Sequence, residues 1–251
     1  MANLKEIRSR IASVSSTMQI TSAMKMVSAA KLKKAQDAIT AMRPYADKLT
    51  ELLQALSATL DDDSGSRYAS QREVNKVLVV AITSNRGLCG AFNSNIIKEV
   101  NRLASETYAN QEVSVLTIGK KGHDILSKTH TIIHNDSDVF DDLTFDNVAA
   151  VAELMMEKFV DGEFDKIEII YNKFKNAATQ IVTKEQFLPI VPVESDEASN
   201  SDYIFEPSKL EIVETLIPKS LKTQLYKAVR DSFASEHGAR MTAMHKATDN
   251  A

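Results

Sequence analysis

From Asn3 to about Leu60 the chain carries a helical signal too long for a globular domain to absorb, and that length constrains everything else. No glycine precedes Gly65, and the only proline before it is Pro44. Apolar residues recur at Leu4, Ile7, Ile11, Val14 and Met18, in steps of three and four. After a break in phase around Met18 to Met24 they resume at Leu32, Ala35, Ile39, Met42, Tyr45, Leu49, Leu52 and Leu56. Such spacing marks an apolar seam that packs on another helix. A helix of ~55 residues spans roughly 80 Å at about 1.5 Å per residue. The seam therefore needs an elongated partner. Pro44 removes one backbone hydrogen bond and should bend the helix near Met42 and Arg43. The spacing carries on through it, so one bent helix is expected; the alternative is a helix end followed by a second helix.

The partner stands at the other end of the chain. Ser208 and Glu211 have capping-box spacing, which satisfies free backbone N–H groups at a helix start. Leu210, Val213, Ile217, Leu221, Leu225 and Ala228 then form one face, and Pro218 should bend it. The pattern runs to Ala251 without a stop signal, ~65 Å of helix. Between the two helices lies different material. Lys76 to Ser84 is an apolar, β-branched run typical of a strand buried on both faces. Further strands are expected at Glu112–Ile118, Thr131–His134, Lys166–Phe174 and Thr179–Leu188, the last antiparallel at an edge. Helices are expected at Ala91–Tyr108, Lys120–Lys128 and Phe145–Val160. Strands alternating with helices imply an α/β fold with a mainly parallel sheet. With that unit between them, the terminal helices most simply form a long antiparallel coiled coil. The expected divisions are an N-terminal helix (1–60), a linker (61–75) rich in Asp, Ser and Gly at its start, the α/β domain (76–206) and a C-terminal helix (207–251).

Charge is divided along the chain. The overall net of −4 hides +6 over residues 1–50, +2 over 208–251 and −12 between them. Basic ends on an acidic middle predict two kinds of partner surface. Lys5, Arg8, Arg10, Lys25, Lys31, Lys33 and Lys34 stand against Glu6 alone in the first 34 residues. That is unlike a merely solvated coiled coil, which mixes signs, and suggests an electrostatic rail for an acidic partner. Nucleic acid is disfavoured: net charge is negative, no groove-reading motif is present, and no aromatics interleave with the basic residues. The single cysteine, Cys89, excludes an intrachain disulfide. No secretory signal opens the chain, and its longest apolar run is too short to span a bilayer. Membrane work would thus go through partners.

Candidate catalytic chemistry is thin. Gly87-Leu88-Cys89-Gly90 follows a strand and opens a helix, where a phosphate loop would sit. It lacks GxGxxG and GxxxxGK[ST], so a tight strand-to-helix turn formed by Arg86, Gly87, Cys89 and Gly90 is the better reading. Cys89 has no histidine base at a motif spacing. Asp136, Asp138, Asp141 and Asp142 lack the glycine and glutamate of a calcium loop. No catalytic, cofactor or metal set emerges. From residues alone, three functions stay open: a moving shaft, a nucleotide-binding enzyme with a coiled-coil arm, and a static scaffold.

Three stretches narrow these: Ile7 to Lys31 (IRSRIASVSSTMQITSAMKMVSAAK), Thr83 to Asn93 (TSNRGLCGAFN) and Ser235 to Ala251 (SEHGARMTAMHKATDNA). Together they resemble the gamma subunits of rotary F-type ATP synthases, in order along the whole chain. The resemblance implies a shaft of two antiparallel helices rising through a hexamer of alpha and beta subunits. It implies a Rossmann-like α/β domain below, against the epsilon subunit and the membrane-embedded c-ring. Proton flow would turn ring and shaft, and shaft asymmetry would drive the beta subunits through their states. Gamma would also regulate ATP hydrolysis and proton flow, with catalysis and cofactors left to alpha and beta. By position, Met24, Lys25 and Val27 fall where such a shaft meets an acidic lever of beta, with Arg8, Arg10, Lys31, Lys33 and Lys34 around them. Arg240 and Met244 fall on the facing helix as further hexamer contacts, and Tyr203 is a candidate epsilon or c-ring contact. The family shaft continues past the Ala-Thr-Asp-Asn-Ala motif, so a truncated or unrecorded tip is expected beyond Ala251. Absence of a transit peptide favours a bacterial inner membrane, cytoplasmic side, peripheral through partners.

Overall fold

A computed structural model describes residues 3–57, 67–190 and 209–251. The acidic start of the linker, Tyr203 with its surroundings, and the Ser208 cap lie outside the described residues. The first helix, α1, runs Leu4–Ser57 and passes through Pro44 without ending. The last, α5, runs Lys209–Asp249 and likewise passes through Pro218. Between them come β1 (Lys76–Ile82), α2 (Phe92–Arg102), β2 (Glu112–Ile118), α3 (Lys120–Leu126), β3 (Thr131–Asp136), α4 (Phe145–Val160), β4 (Lys166–Phe174) and β5 (Gln180–Leu188). The strands order as β3-β2-β1-β4-β5, parallel except for the antiparallel edge strand β5.

Central strand β1 is buried from Val77 to Ile82, as a strand covered on both faces must be. One face, with Val77, Val79 and Ala81, packs on Ile96, Ile97 and Val100 of α2 and Leu126 of α3. The other, with Leu78, Val80 and Ile82, packs on Val148, Val151, Met155 and Phe159 of α4. Thr144 starts α4 by accepting a hydrogen bond from the Asn147 amide, the usual N-cap arrangement.

That second face also takes Ile217, Leu221, Leu225 and Val229 of α5. The expected division at residue 207 is therefore not a spatial boundary. The first half of α5 covers the sheet, because a parallel sheet with two apolar faces must have both closed. Each such aliphatic side chain contributes about 1.5–3 kcal/mol on full burial. The described part of the expected linker, residues 67–75, packs on the α/β domain. Tyr68 is buried in the core, Arg72 Nη1 donates to the Phe159 carbonyl at 3.0 Å, and Asp165 accepts from the Asn75 and Lys76 amides.

The second half of α5 pairs antiparallel with α1. Thr21 Oγ1 meets Thr248 Oγ1 at 2.8 Å, and Arg43 lies 3.8 Å from Asp231. Leu32, Ala35 and Ile39 pack with Phe174 and Ala234. The β4–β5 turn leans on α5 at Gly238, where a Cβ would stand 3.1 Å from Ala177 Cα. Thr242 Oγ1 then donates to the Ala177 carbonyl at 3.1 Å.

The break in the α1 seam proves chemical, not geometric. Thr21, Ser28, Leu32, Ala35, Ile39, Ala46 and Leu49 are buried and Lys25 and Met42 half-buried. With Leu4, Ile7, Ile11, Val14 and Met18, these positions keep an unbroken three-four alternation. Small hydroxyl residues occupy the seam where apolar ones drop out. Thr21 and Ser28 return their hydroxyls to backbone carbonyls of the preceding turn, so they pack without stranded donors. Tyr45, expected on the seam, is exposed, and Ala46 takes its place. Every residue from Asn3 to Ile20 is exposed, so this end of α1 runs beyond its pairing with α5.

Asp231 is the costliest group in the pairing. It has no exposed surface, and no side chain hydrogen-bonds either oxygen. Burial raises its pKa, opposed by Arg43 and then Lys227. A folded-state pKa above the unfolded one means stability is fullest in acid and is lost as pH rises through the raised value. Asp231→Leu should therefore stabilise the chain at neutral pH by about 1 kcal/mol, since Arg43 is half exposed and can return to water. Thermal unfolding against pH checks this: the variant should melt higher at neutral pH and show a flatter pH dependence.

Candidate functional site

Strand β1 delivers the chain to a sharp turn, Asn85–Gly90, that leans on the shaft. Ser84 and Asn93 close it: the Ser84 amide donates to Asn93 Oδ1 at 2.9 Å, and Asn93 Nδ2 donates to Ser84 Oγ at 2.8 Å. Leu88 and Gly90 adopt left-handed backbone, φ 62 and 61. For leucine that conformation is uncommon and strained. Leu88 is held there with 65 % of its surface exposed.

Arg240 of α5 holds the turn. Its Nε donates to the Gly87 carbonyl at 3.2 Å, and Nη2 donates to the carbonyls of Arg86 (2.9 Å) and Gly87 (3.2 Å). Nη1 pairs with Glu236 one helical turn back. Both side chains are buried. Burial pushes the Glu236 carboxyl above its ordinary range, with Arg240 opposing. The turn thus offers carbonyl oxygens inward, the reverse of a phosphate cradle, which offers N–H groups.

Beside Arg240, His237 is buried with neither ring nitrogen hydrogen-bonded. Its ring meets Phe233 edge to face at 4.5 Å. Burial lowers its pKa to about 4, with Arg240 and Lys31 adding to the effect, so the imidazole is neutral at pH 7. His237, Phe233, Arg240, the turn, Phe140 and the α1 segment Ile20–Lys31 enclose an open cleft of about 570 Å³.

The expected contact residues are distributed unevenly. Arg8, Arg10, Val27, Lys31, Lys33 and Lys34 are exposed, and Met24 and Lys25 half-buried. Lys33 pairs with Asp37 at 3.0 Å, and Lys25 Nζ lies 3.4 Å from His245 Nδ1. At about 100° per residue, Lys31 and Lys33 are separated by ~200° around α1. The cations ring the helix and do not form one stripe, which corrects the picture of a rail. Arg240 and Met244, expected as hexamer contacts on the facing helix, are buried within the chain. Alternating packing on both sides of α5 turns them inward. Cys89 is buried, and burial raises its thiol pKa, so it is packing material, unsuited to labelling. Asp136, considered above for calcium, caps the turn that follows β3 by accepting from the Val139 amide at 3.1 Å.

Sequence reasoning missed Glu236, His237 and Asp231. Their signal was present as ionisable residues at helical spacing in the stretch facing both α1 and the sheet, with Glu236 and Arg240 one turn apart.

The model of the ATP synthase family matches residues 3–251. The ATP synthase gamma chain of Flavobacterium psychrophilum is 75% identical over 252 residues, covering 100% of this chain and 88% of its own length. That of Geobacter sp. is 44% identical over 253 residues with the same coverage. Among solved structures, the central stalk and c-ring assembly of Tetrahymena thermophila mitochondrial ATP synthase aligns with a TM-score of 0.66 at 28% identity, covering 91% of this chain and 99% of that one. A rotor chain of Euglena gracilis mitochondrial ATP synthase gives 0.70 at 24% identity, covering 97% and 90%, a likeness of fold.

Proposed function

Since the chain belongs to the ATP synthase gamma-chain family, we propose that its buried α5 is the member that carries torque between c-ring and hexamer. The chain is the central-stalk rotor subunit of an F-type ATP synthase, working with the F1 subunits and the c-ring. One observation supports the role of α5. A single continuous helix, Lys209–Asp249, is both half of the shaft and a cover of the sheet. Rotation applied to the α/β domain reaches the α1–α5 pair with no intervening loop, and Arg240 adds a second tie through the turn.

The remaining assignments follow from family membership and the chemistry of the residues. The subunit does no catalysis itself: the turn that would hold a phosphate is occupied by Arg240. It takes no cofactor. Met24, Lys25 and Val27 meet an acidic lever of beta, Lys31, Lys33 and Lys34 face the hexamer from different sides of the helix, and Arg8 and Arg10 lie further along it inside the hexamer. Exposed Ile20, Met26 and Val27 give this contact its apolar part. Tyr203, outside the described residues, is carried over from family membership as an epsilon or c-ring contact. The complex is membrane-associated, and among the described residues no helix is long and apolar enough to cross a membrane. The close Flavobacterium relatives favour a bacterial inner membrane with this subunit on the cytoplasmic side.

Charge reversal tests the contact. In the assembled enzyme, Lys25, Lys31, Lys33 and Lys34 changed together to Glu should reduce proton pumping per ATP hydrolysed by about half or more, because like charges then face the lever. ATP-driven quenching of a pH dye in vesicles, set against ATPase rate, reads this. Unchanged pumping would remove the electrostatic contact.

A further inference from the structure

The cleft beside His237 has features that torque transmission does not use. Its volume, about 570 Å³, lies within the range of small-molecule sites. Met24, Val27, Phe140 and Phe233 supply apolar walls, two of them aromatic. At the base, His237 is buried with both nitrogens unpartnered. A buried polar group without a partner costs free energy until something satisfies it. Lys31 and Arg86 stand at the rim, both exposed, from α1 and from the turn respectively. The two carboxyl side chains that also line the cleft are Glu236, already paired with Arg240, and Asp141.

We propose that this cleft is a binding site for a small aromatic carboxylate, with the ring between Met24, Val27, Phe140 and Phe233 and the carboxylate between Lys31 and Arg86 at the rim. Two cations approaching from different elements fix the anion at one end, and the aromatic walls fix the ring plane. Asp141 also lines the cleft, so a ligand with more than one negative charge is disfavoured. The cleft opens beside Met24 and Val27, so an occupied site would compete with whatever covers that part of α1 in the assembled rotor.

The free chain and 1-naphthoate test this by calorimetry, with ring resonances of His237 as a second readout. Saturable one-site binding is expected, at least about tenfold tighter than for uncharged 1-naphthalenemethanol. Lys31→Ala with Arg86→Ala, both at exposed positions, should weaken binding by a similar factor. Val27→Trp should block it while leaving the charges in place. Ile7→Asp with Ile11→Asp, on the exposed end of α1, should leave binding unchanged. Several results would overturn the site: no saturable binding, equal affinity for the uncharged analogue, indifference to the rim and Val27 variants, or loss of binding in the Ile7/Ile11 variant. If Val27→Trp blocks only assembly with the hexamer while naphthoate fails to bind the free chain, the cleft serves a protein partner and the proposal fails. The rotor assignment is untouched by any of these outcomes.

Discussion

Gly119→Ala is expected to destabilise the chain by about 3 kcal/mol or more, because left-handed strain and a backbone collision act together. Gly119 joins β2 to α3 at φ 105. A Cβ there would stand 2.2 Å from the Thr83 carbonyl oxygen and 2.8 Å from its carbon. The neighbour is backbone at the end of the central strand and has nowhere to go. Thr83 is fixed from several directions: its amide donates to the Ile118 carbonyl at 2.8 Å, and its hydroxyl accepts from the Gly122 amide at 2.9 Å. The collision would open the place where β1, β2 and α3 meet, directly behind the turn that Arg240 holds. Gly87→Ala is the matched control. A Cβ there meets nothing within 4 Å, so its effect should stay within about 0.5 kcal/mol. Urea unfolding of the two variants decides this; coincident midpoints would contradict it.

Arg240→Met should cost about 3–5 kcal/mol, the usual penalty for removing one partner of a buried ion pair. The loss has two parts. The carbonyls of Arg86 and Gly87 lose their donors, and Glu236 is left buried without its counter-charge. The second part can be isolated by pH. Burial already raises the Glu236 pKa, and Arg240 holds it down. Without Arg240 it rises further, so the variant should lose more stability than the parent as pH climbs from acid to neutral. Adding Glu236→Gln to Arg240→Met should recover part of the loss and remove that extra pH dependence. A double-mutant cycle at two pH values measures the coupling. If the double variant is no more stable than Arg240→Met alone, the stranded carboxylate is not the source of the cost.

The elements were legible in the sequence because their signals are local. β-branched runs marked β1, β2 and β4, and three-four spacing marked both long helices through Pro44 and Pro218. What sequence reading placed wrongly depends on three-dimensional neighbours. The seam looked broken at Met18 to Met24 because hydropathy does not count Thr21 and Ser28 as seam residues. Helix geometry does, since a hydroxyl that returns to its own backbone packs like a small apolar group. Helix α5 looked like one half of a coiled coil because only one of its faces was considered. In the structure it is enclosed on two sides, so its polar stretch from Asp231 to Arg240 is interior. The sequence alone therefore gives no sign that the Arg240 guanidinium is engaged inside the chain, by Arg86, Gly87 and Glu236. The Leu88 backbone conformation had no signal at all, because Gly87 and Gly90 are the residues in this turn that invite positive φ and leucine itself gives no turn cue.

The claim on which the account rests is that the α/β domain and the α1–α5 pair turn as one body. A bead attached through Lys128→Cys on the α/β domain, in a Cys89→Ser background, reports that motion when an immobilised hexamer of alpha and beta subunits is given ATP. The position is exposed, distant in sequence from both long helices. The account predicts sustained rotation in one direction. A bead that stands still, or only jitters, while the same molecules hydrolyse ATP at full rate would contradict it.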